Sequence, residues 1–172
     1  FFGGSFTAID RSYMISLLEE AKPFIENKVF SGIRISTRPD AIDEEVLLLL
    51  KKYGVTAIEL GAQSMNDEVL LFNRRGHTVD DVVNASLLIK KHGFSLGLQM
   101  MTGLYKSTRE IDIETAKRII EAYGTDKVVF GTDFPMWPVK DELNYLFDLG
   151  FTETELENIL HNNILKILNI NE

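Results

Sequence analysis

The sequence predicts an α/β fold built on a parallel sheet, and three observations carry that prediction. Short apolar runs that end in Gly, Ser, Thr or Asp alternate with longer stretches of helical period, the pattern of repeated βα units. Glycines stand where the helical stretches stop, at Gly54, Gly93 and Gly124. Beyond residue 131 the apolar positions keep helical spacing only, so the chain should finish in C-terminal helices. Five strands follow from the runs: residues 1–6, 32–37, 57–61, 95–101 and 127–131.

Taken in order, the first helix should begin behind Asp10 as its N-cap. It carries Met14, Leu17, Leu18, Ala21 and Ile25 on one face, with Pro23 a late irregularity. A second follows Asp43 and presents Val46, Leu47, Leu50 and Tyr53 ahead of Gly54. The third opens at Thr78, where Asp81 completes a capping box, and runs through Val82, Val83, Leu87 and Leu88 to Gly93. A fourth spans about 113–123. The tail should hold a helix over 140–149, the capping sequence Thr152-Glu153-Thr154-Glu155, then Leu156, Ile159, Leu160 and a terminal helix over 164–168.

At 172 residues and 45% hydrophobic content the chain can bury one sizeable core, which favours a single α/β domain over residues 1–172. The net charge of -8 comes from acidic residues spread along the chain without a polybasic block, so nucleic acid is not expected as a partner. No apolar run approaches the roughly 20 residues that span a bilayer, and no signal-peptide pattern is present. No membrane partner is expected, and a soluble, cytoplasmic protein is. The opening Phe1-Phe2-Gly3-Gly4 reads as the start of a segment with no leader. There is no cysteine, which removes disulfides, thiolate zinc sites, cysteine nucleophiles and conventional iron–sulfur ligation.

Five stretches have a recognisable order and spacing: Phe2-Gly3-Gly4-Ser5-Phe6-Thr7, Ser36-Thr37-Arg38-Pro39-Asp40, Glu59-Leu60-Gly61-Ala62-Gln63-Ser64, Asn73-Arg74-Arg75-Gly76-His77-Thr78 and Gly97-Leu98-Gln99-Met100-Met101-Thr102-Gly103-Leu104. Over residues 1 to about 105 the chain resembles the radical S-adenosylmethionine superfamily, near the branch holding the Elongator catalytic subunit and oxygen-independent coproporphyrinogen oxidase. Each stretch lies at or just beyond the C-terminal end of an expected strand, where parallel α/β sheets place ligands. Gly3 and Gly4 would let backbone groups approach the methionyl part of the cofactor. By resemblance Gln63 and Arg75 match residues that contact its ribose and carboxylate. Gln99 stands where some relatives have a ribose-binding Asp, and Ser36 where relatives often carry a Glu. Without the resemblance the same residues read as a strand-to-helix turn, a satisfied strand-end amide and a solvated loop charge. The family's reaction needs a [4Fe–4S] cluster on three cysteines. This chain has none, so no cluster is expected and S-adenosylmethionine would be held weakly without the iron that orients it.

From about residue 107 to 172 the likeness changes. Arg118-Ile119-Ile120-Glu121-Ala122-Tyr123-Gly124, the run from Asp126 through Gly131-Thr132-Asp133-Phe134-Pro135 to Trp137, and Asn162-Asn163-Ile164-Leu165-Lys166-Ile167-Leu168 resemble the end of a metal-dependent amidohydrolase, a TIM barrel. The resemblance places Asp133 at the tip of that family's last strand, where an Asp binds or faces the metal and helps deprotonate the attacking water. A hydrolytic centre needs about three protein ligands and an open position. His77, His92 and His161 form no HxH pair, so no divalent metal is expected, and Asp133 read alone is a strand-end carboxylate capping a turn.

Both parents are (βα) barrels whose units can be exchanged, and a junction between Tyr105 and Arg109 would join them. Five units cannot close an eight-stranded barrel. The expectation is a partial TIM barrel or a rearranged, flavodoxin-like open sheet, its edges covered by the terminal helices or by a second copy in a homodimer. The expected function is that of a non-catalytic scaffold, recombined or designed, with no bound cofactor. Two alternatives stand beside it: a radical-enzyme fragment that retains weak S-adenosylmethionine binding, and an amidohydrolase remnant using Asp133 with carboxylates such as Asp40 or Glu59.

Overall fold

The computed structural model describes residues 1, 4–123, 127–132, 135, 138–168 and 170, with the side chains of residues 121–123 excepted. The chain divides into two compact units, Phe1–Thr115 and Ala116–Glu172. The first is α/β. Its strands β1 (Ile33–Thr37), β2 (Val55–Gln63) and β3 (Ser95–Met100) form an open, all-parallel sheet in the order β1-β2-β3.

The connecting helices form where local caps start them. Asp10 accepts the Tyr13 N–H at 3.0 Å and opens α1 (Arg11–Glu26). Asp43 accepts the Val46 N–H at 2.8 Å and opens α2 (Glu44–Lys52), which stops before Gly54 at φ 83°. Thr78 and Asp81 bond reciprocally to open α4 (Val79–Lys91). A short helix, α3 (Asp67–Phe72), capped by Asn66, was not expected from the sequence.

Strands in sequential order, joined by right-handed crossovers, carry their helices on one face. The core shows this: Leu18 of α1, Leu47 and Leu50 of α2, and Ala85 and Ile89 of α4 pack with Ile35, Ile58 and Leu60 of the sheet. The strand order runs without reversal across these three strands, an open parallel sheet as expected.

Two of the five expected strands do not form among the described residues. Phe1 does lie along β1, donating to the Arg34 carbonyl at 2.6 Å and accepting from the Ser36 N–H at 3.2 Å. Gly4 at φ 115° then turns the chain away, and Phe6–Ala8 make a 3₁₀ turn. Over residues 127–131 the backbone finds helical partners instead of a strand: the Phe130 N–H donates to the Ile159 carbonyl at 3.1 Å, and the Asn163 amide donates to the Val128 carbonyl at 2.8 Å.

The fourth expected helix is α5 (Arg109–Tyr123), begun earlier than its apolar spacing indicated. The second unit holds α6 (Val139–Phe147), α7 (Glu153–Glu157) behind the Thr152/Glu155 capping box, a π-helical turn Asn158–Asn162, and α8 (Asn163–Leu168). Among the described residues no helix is long and apolar enough to cross a membrane.

Candidate functional site

Strand alternation sorts the sheet into two faces. Ile33, Ile35 and Thr37, with Ile58, Leu60 and Ala62, are buried on the face that carries the helices' core. The opposite face carries Arg34 and Ser36 of β1, Glu59 and Gly61 of β2, and Gly97 and Gln99 of β3. Register aligns Ser36 with Glu59, Glu59 with Gly97, and Gly61 with Gln99.

Three of these polar residues form one cluster. The Glu59 carboxylate accepts the Ser36 hydroxyl at 3.1 Å and pairs with the Arg34 guanidinium at 3.1 Å. Gly97 leaves the space they occupy, since a Cβ there would meet Glu59 Cγ at 3.2 Å and Arg34 Nη2 at 3.9 Å. Gln99 is exposed on the neighbouring strand.

At the tip of β2 the backbone is strained. Gln63 has φ 65°, and the Ser64 N–H donates to the Ala62 carbonyl at 2.8 Å, closing a three-residue γ-turn around it. A γ-turn with a positive-φ, non-glycine centre is rare and held only by its surroundings. Those surroundings are explicit. The same Ala62 carbonyl accepts from His77 Nε2 at 3.2 Å, the Gln63 carbonyl accepts the Met101 N–H at 2.8 Å, and Thr115 Oγ1 accepts the Met65 N–H at 3.1 Å. The Gln63 amide folds back over Gly61, where a Cβ would lie 2.5 Å from its Nε2.

The turn leaves Gln63 Oε1 buried without a hydrogen-bond partner. Arg75 Nε beside Met101 and His77 Nδ1 share that condition. A carbonyl can only accept, so His77 Nε2 is the donor in its contact with Ala62. The γ-turn is therefore a place where polar atoms are kept from protein partners by a backbone that is itself clamped.

The loop beyond β3 is tied down by a separate set of hydrogen bonds. Buried Asp112 accepts the Gly103 N–H at 2.9 Å and the Ser107 hydroxyl, while Asn73 accepts the Tyr105 N–H at 3.2 Å and donates to its carbonyl at 2.8 Å. Asp112 did not stand out in the sequence, and Asn73 did so only as the first residue of a quoted stretch, because its partner Tyr105 lies 32 positions on. Arg34 was missed as well; the alternation Arg34, Ser36 in a strand was its available signal.

Of the sequence-derived site residues, Ser36 and Gln99 lie on the open face, Gln63 stands at the tip of β2, Arg75 lies against Met101 just past β3, and Gly4 ends the segment beside β1. Gly3 and Asp133 fall outside the described residues. Asp40, named with Glu59 as a metal carboxylate, is engaged by Arg38, which donates from Nε at 2.7 Å; this pairing raises the Arg38 pKa. His92 caps α4 near Glu44, and His161 lies in the π-helical turn. Among the described residues no group of three or more His, Cys, Asp or Glu is placed to hold a metal.

Comparison with known proteins points one way for the first unit. The model of the radical SAM superfamily matches residues 1–119, beyond the junction expected between Tyr105 and Arg109. A weaker match, to the amidohydrolase model, takes residues 85–170 and overlaps it. The tRNA uridine(34) acetyltransferase of Methanocaldococcus jannaschii is 34% identical over 136 residues, 69% of this chain and 25% of its own length. Elongator complex protein 3 of Schizosaccharomyces pombe is 30% identical over 170 residues, 83% of this chain and 31% of its own. The structure of an archaeal Elp3 from Methanocaldococcus infernus, with an N-terminal deletion, superposes at TM-score 0.61 and 30% identity over 69% of this chain and 32% of that one. A radical S-adenosylmethionine methyltransferase from Kitasatospora setae shares the fold at TM-score 0.52 and 17% identity, over 68% of this chain and 24% of that one. The chain thus spans about a quarter to a third of the relatives it matches. These relatives overturn the expectation of a non-catalytic recombined or designed scaffold: this is sequence of a natural enzyme lineage.

Proposed function

The chain belongs to the radical S-adenosylmethionine superfamily, and from that premise we propose that its first unit is the cofactor-holding part of an enzyme of the tRNA uridine(34) acetyltransferase and Elongator complex protein 3 kind. One observation carries the reading. Gln63 sits in a clamped γ-turn at a strand tip with a buried, unpaired amide oxygen, and Arg75 keeps an unpaired Nε nearby in the fold. An unpaired buried polar atom costs about 1–3 kcal/mol, which a ligand's own hydrogen bonds would offset. Such strain is retained where the surroundings over-determine it, commonly at ligand clamps.

The residues suit S-adenosylmethionine. Gln63 would bind its ribose, Arg75 its carboxylate, Gln99 would lie alongside, and Gly4, with open space around its Cα, would admit the methionyl group to the backbone. Ser36 would stand close to the amine. In this superfamily the bound cofactor supplies one-electron chemistry at an iron–sulfur cluster. The donor set here does not fit that cluster, because the chain has no thiolate, and no step is derived through it.

Titration calorimetry on the full chain tests the reading. Millimolar S-adenosylmethionine should give saturable heat, and Arg75→Ala should weaken binding about tenfold or more. Absence of heat in the unchanged protein, or an Arg75→Ala variant that binds equally well, sinks it.

We also propose that the second unit descends from the end of an amidohydrolase barrel. The match over residues 85–170 supports this, as does the boundary between compact units at Thr115, close to where the radical-family match ends. Sequencing the source gene across codons 85–119 in independent isolates should return one uninterrupted frame; two separate genes would refute it.

A further inference from the structure

The cluster Arg34–Ser36–Glu59 has no part in the reading above beyond the position of Ser36, yet its chemistry is specific. S-adenosylmethionine ends in an amino acid, whose ammonium needs an acceptor. Among the described residues on the open face, which alternate as Arg34 and Ser36, Ala57, Glu59 and Gly61, and Ser95, Gly97 and Gln99, Glu59 is the one carboxylate. Its side chain is 30% exposed, so it is partly desolvated and still open to a ligand. Ser36 across the register accepts no ammonium proton as a charged partner would; its hydroxyl instead donates to Glu59 and orients it.

The surrounding geometry is that of a trough. Arg34 holds one carboxylate oxygen and Ser36 the other, and Gly97 forms the floor. A carboxylate has about four lone-pair positions, so these two donors leave room for a third. Glu59 lies four residues before Gln63 on the same strand, about 13 Å at the rise of a strand, a span that an adenosine joined to an amino acid can bridge.

We propose that Glu59 is the residue that binds the ammonium of the methionyl group, with Ser36 and Arg34 as its positioning residues. The assignment rests on the S-adenosylmethionine reading and extends it to one atom of the ligand. It accounts for a serine at residue 36: the negative charge is supplied from the adjacent strand.

The experiment is a binding cycle on the full chain with two ligands, S-adenosylmethionine and its deaminated analogue, read by calorimetry. The unchanged protein should prefer S-adenosylmethionine about tenfold or more. Glu59→Gln should lose that preference while binding the analogue as before, and Ser36→Glu added to it should restore the preference. If the unchanged protein binds both ligands equally, or if Glu59→Gln keeps the preference, the assignment of Glu59 is overturned while the cofactor reading stands. If neither ligand binds the unchanged protein, both fall. A Glu59→Gln variant with a lower melting temperature and unaltered preference marks the cluster as a sheet salt bridge only. Should that variant not fold, the unchanged protein's preference decides alone.

Discussion

The two faces of the three-stranded sheet are made by the same strands and differ in what they do. On one, Ile35, Ile58 and Leu60 are fully buried beneath α1, α2 and α4. On the other, the Arg34 side chain is 52% exposed and Glu59 is open beside it. Burying a Leu or Ile side chain contributes about 1.5–3 kcal/mol each, whereas an exposed ion pair contributes about 0–1 kcal/mol. A period of two thus separates the residues that hold the fold from those that can bind. Chemistry can change on one face without disturbing the core on the other.

Substitutions should follow that division. Leu60→Ala removes a fully buried side chain and should destabilise by about 2–5 kcal/mol in urea unfolding, with ligand affinity per folded molecule unchanged. A loss below about 1 kcal/mol would erase the contrast between the faces. A smaller effect is expected behind the apolar face, at the cap of α4. The Asp81 carboxyl is held below its ordinary value of 3.8, first by the Thr78 backbone N–H and then by the Thr78 hydroxyl. Because the folded pKa is depressed, this contribution is present above the unfolded value and is lost as pH falls through the folded one. Asp81→Asn should therefore cost up to about 1 kcal/mol at neutral pH, and its urea midpoint should converge on that of the unchanged protein only as pH falls below 3.8 and through the depressed folded value. Convergence at higher pH, or none, would remove the cap from the account.

The smallest and most telling change is Gln63→Gly. Releasing a non-glycine residue from φ 65° should leave stability unchanged or raise it by up to about 1 kcal/mol, while S-adenosylmethionine binding is lost. A fall in both would mean that the Gln63 side chain holds the fold and does not serve a ligand.

Helix starts were legible because a cap acts over three residues: Asp10, Asp43, Thr78 and Thr152 each open the helix their spacing indicated. Three of the five strands were legible for the same local reason. The runs at 1–6 and 127–131 look alike in sequence, but a strand exists only where a neighbour completes its ladder. At Phe130 and Val128 the partners are helical. Ser36, Gln63, Arg75 and Gln99 could be picked out as a family pattern. The state of Gln63 could not, because nothing in the residues themselves reports a positive φ.

By itself the sequence determined the α/β class, the caps, the apolar face and the lack of any thiolate, since each depends on residue type and short spacing. Tertiary structure alone decided that Arg34, Ser36 and Glu59 meet over Gly97 and that Ala62, Met101 and Thr115 together force the turn at Gln63. The reason is register. Residues some twenty to fifty positions apart become neighbours only when parallel strands and their crossovers bring them level, and no local pattern encodes that alignment.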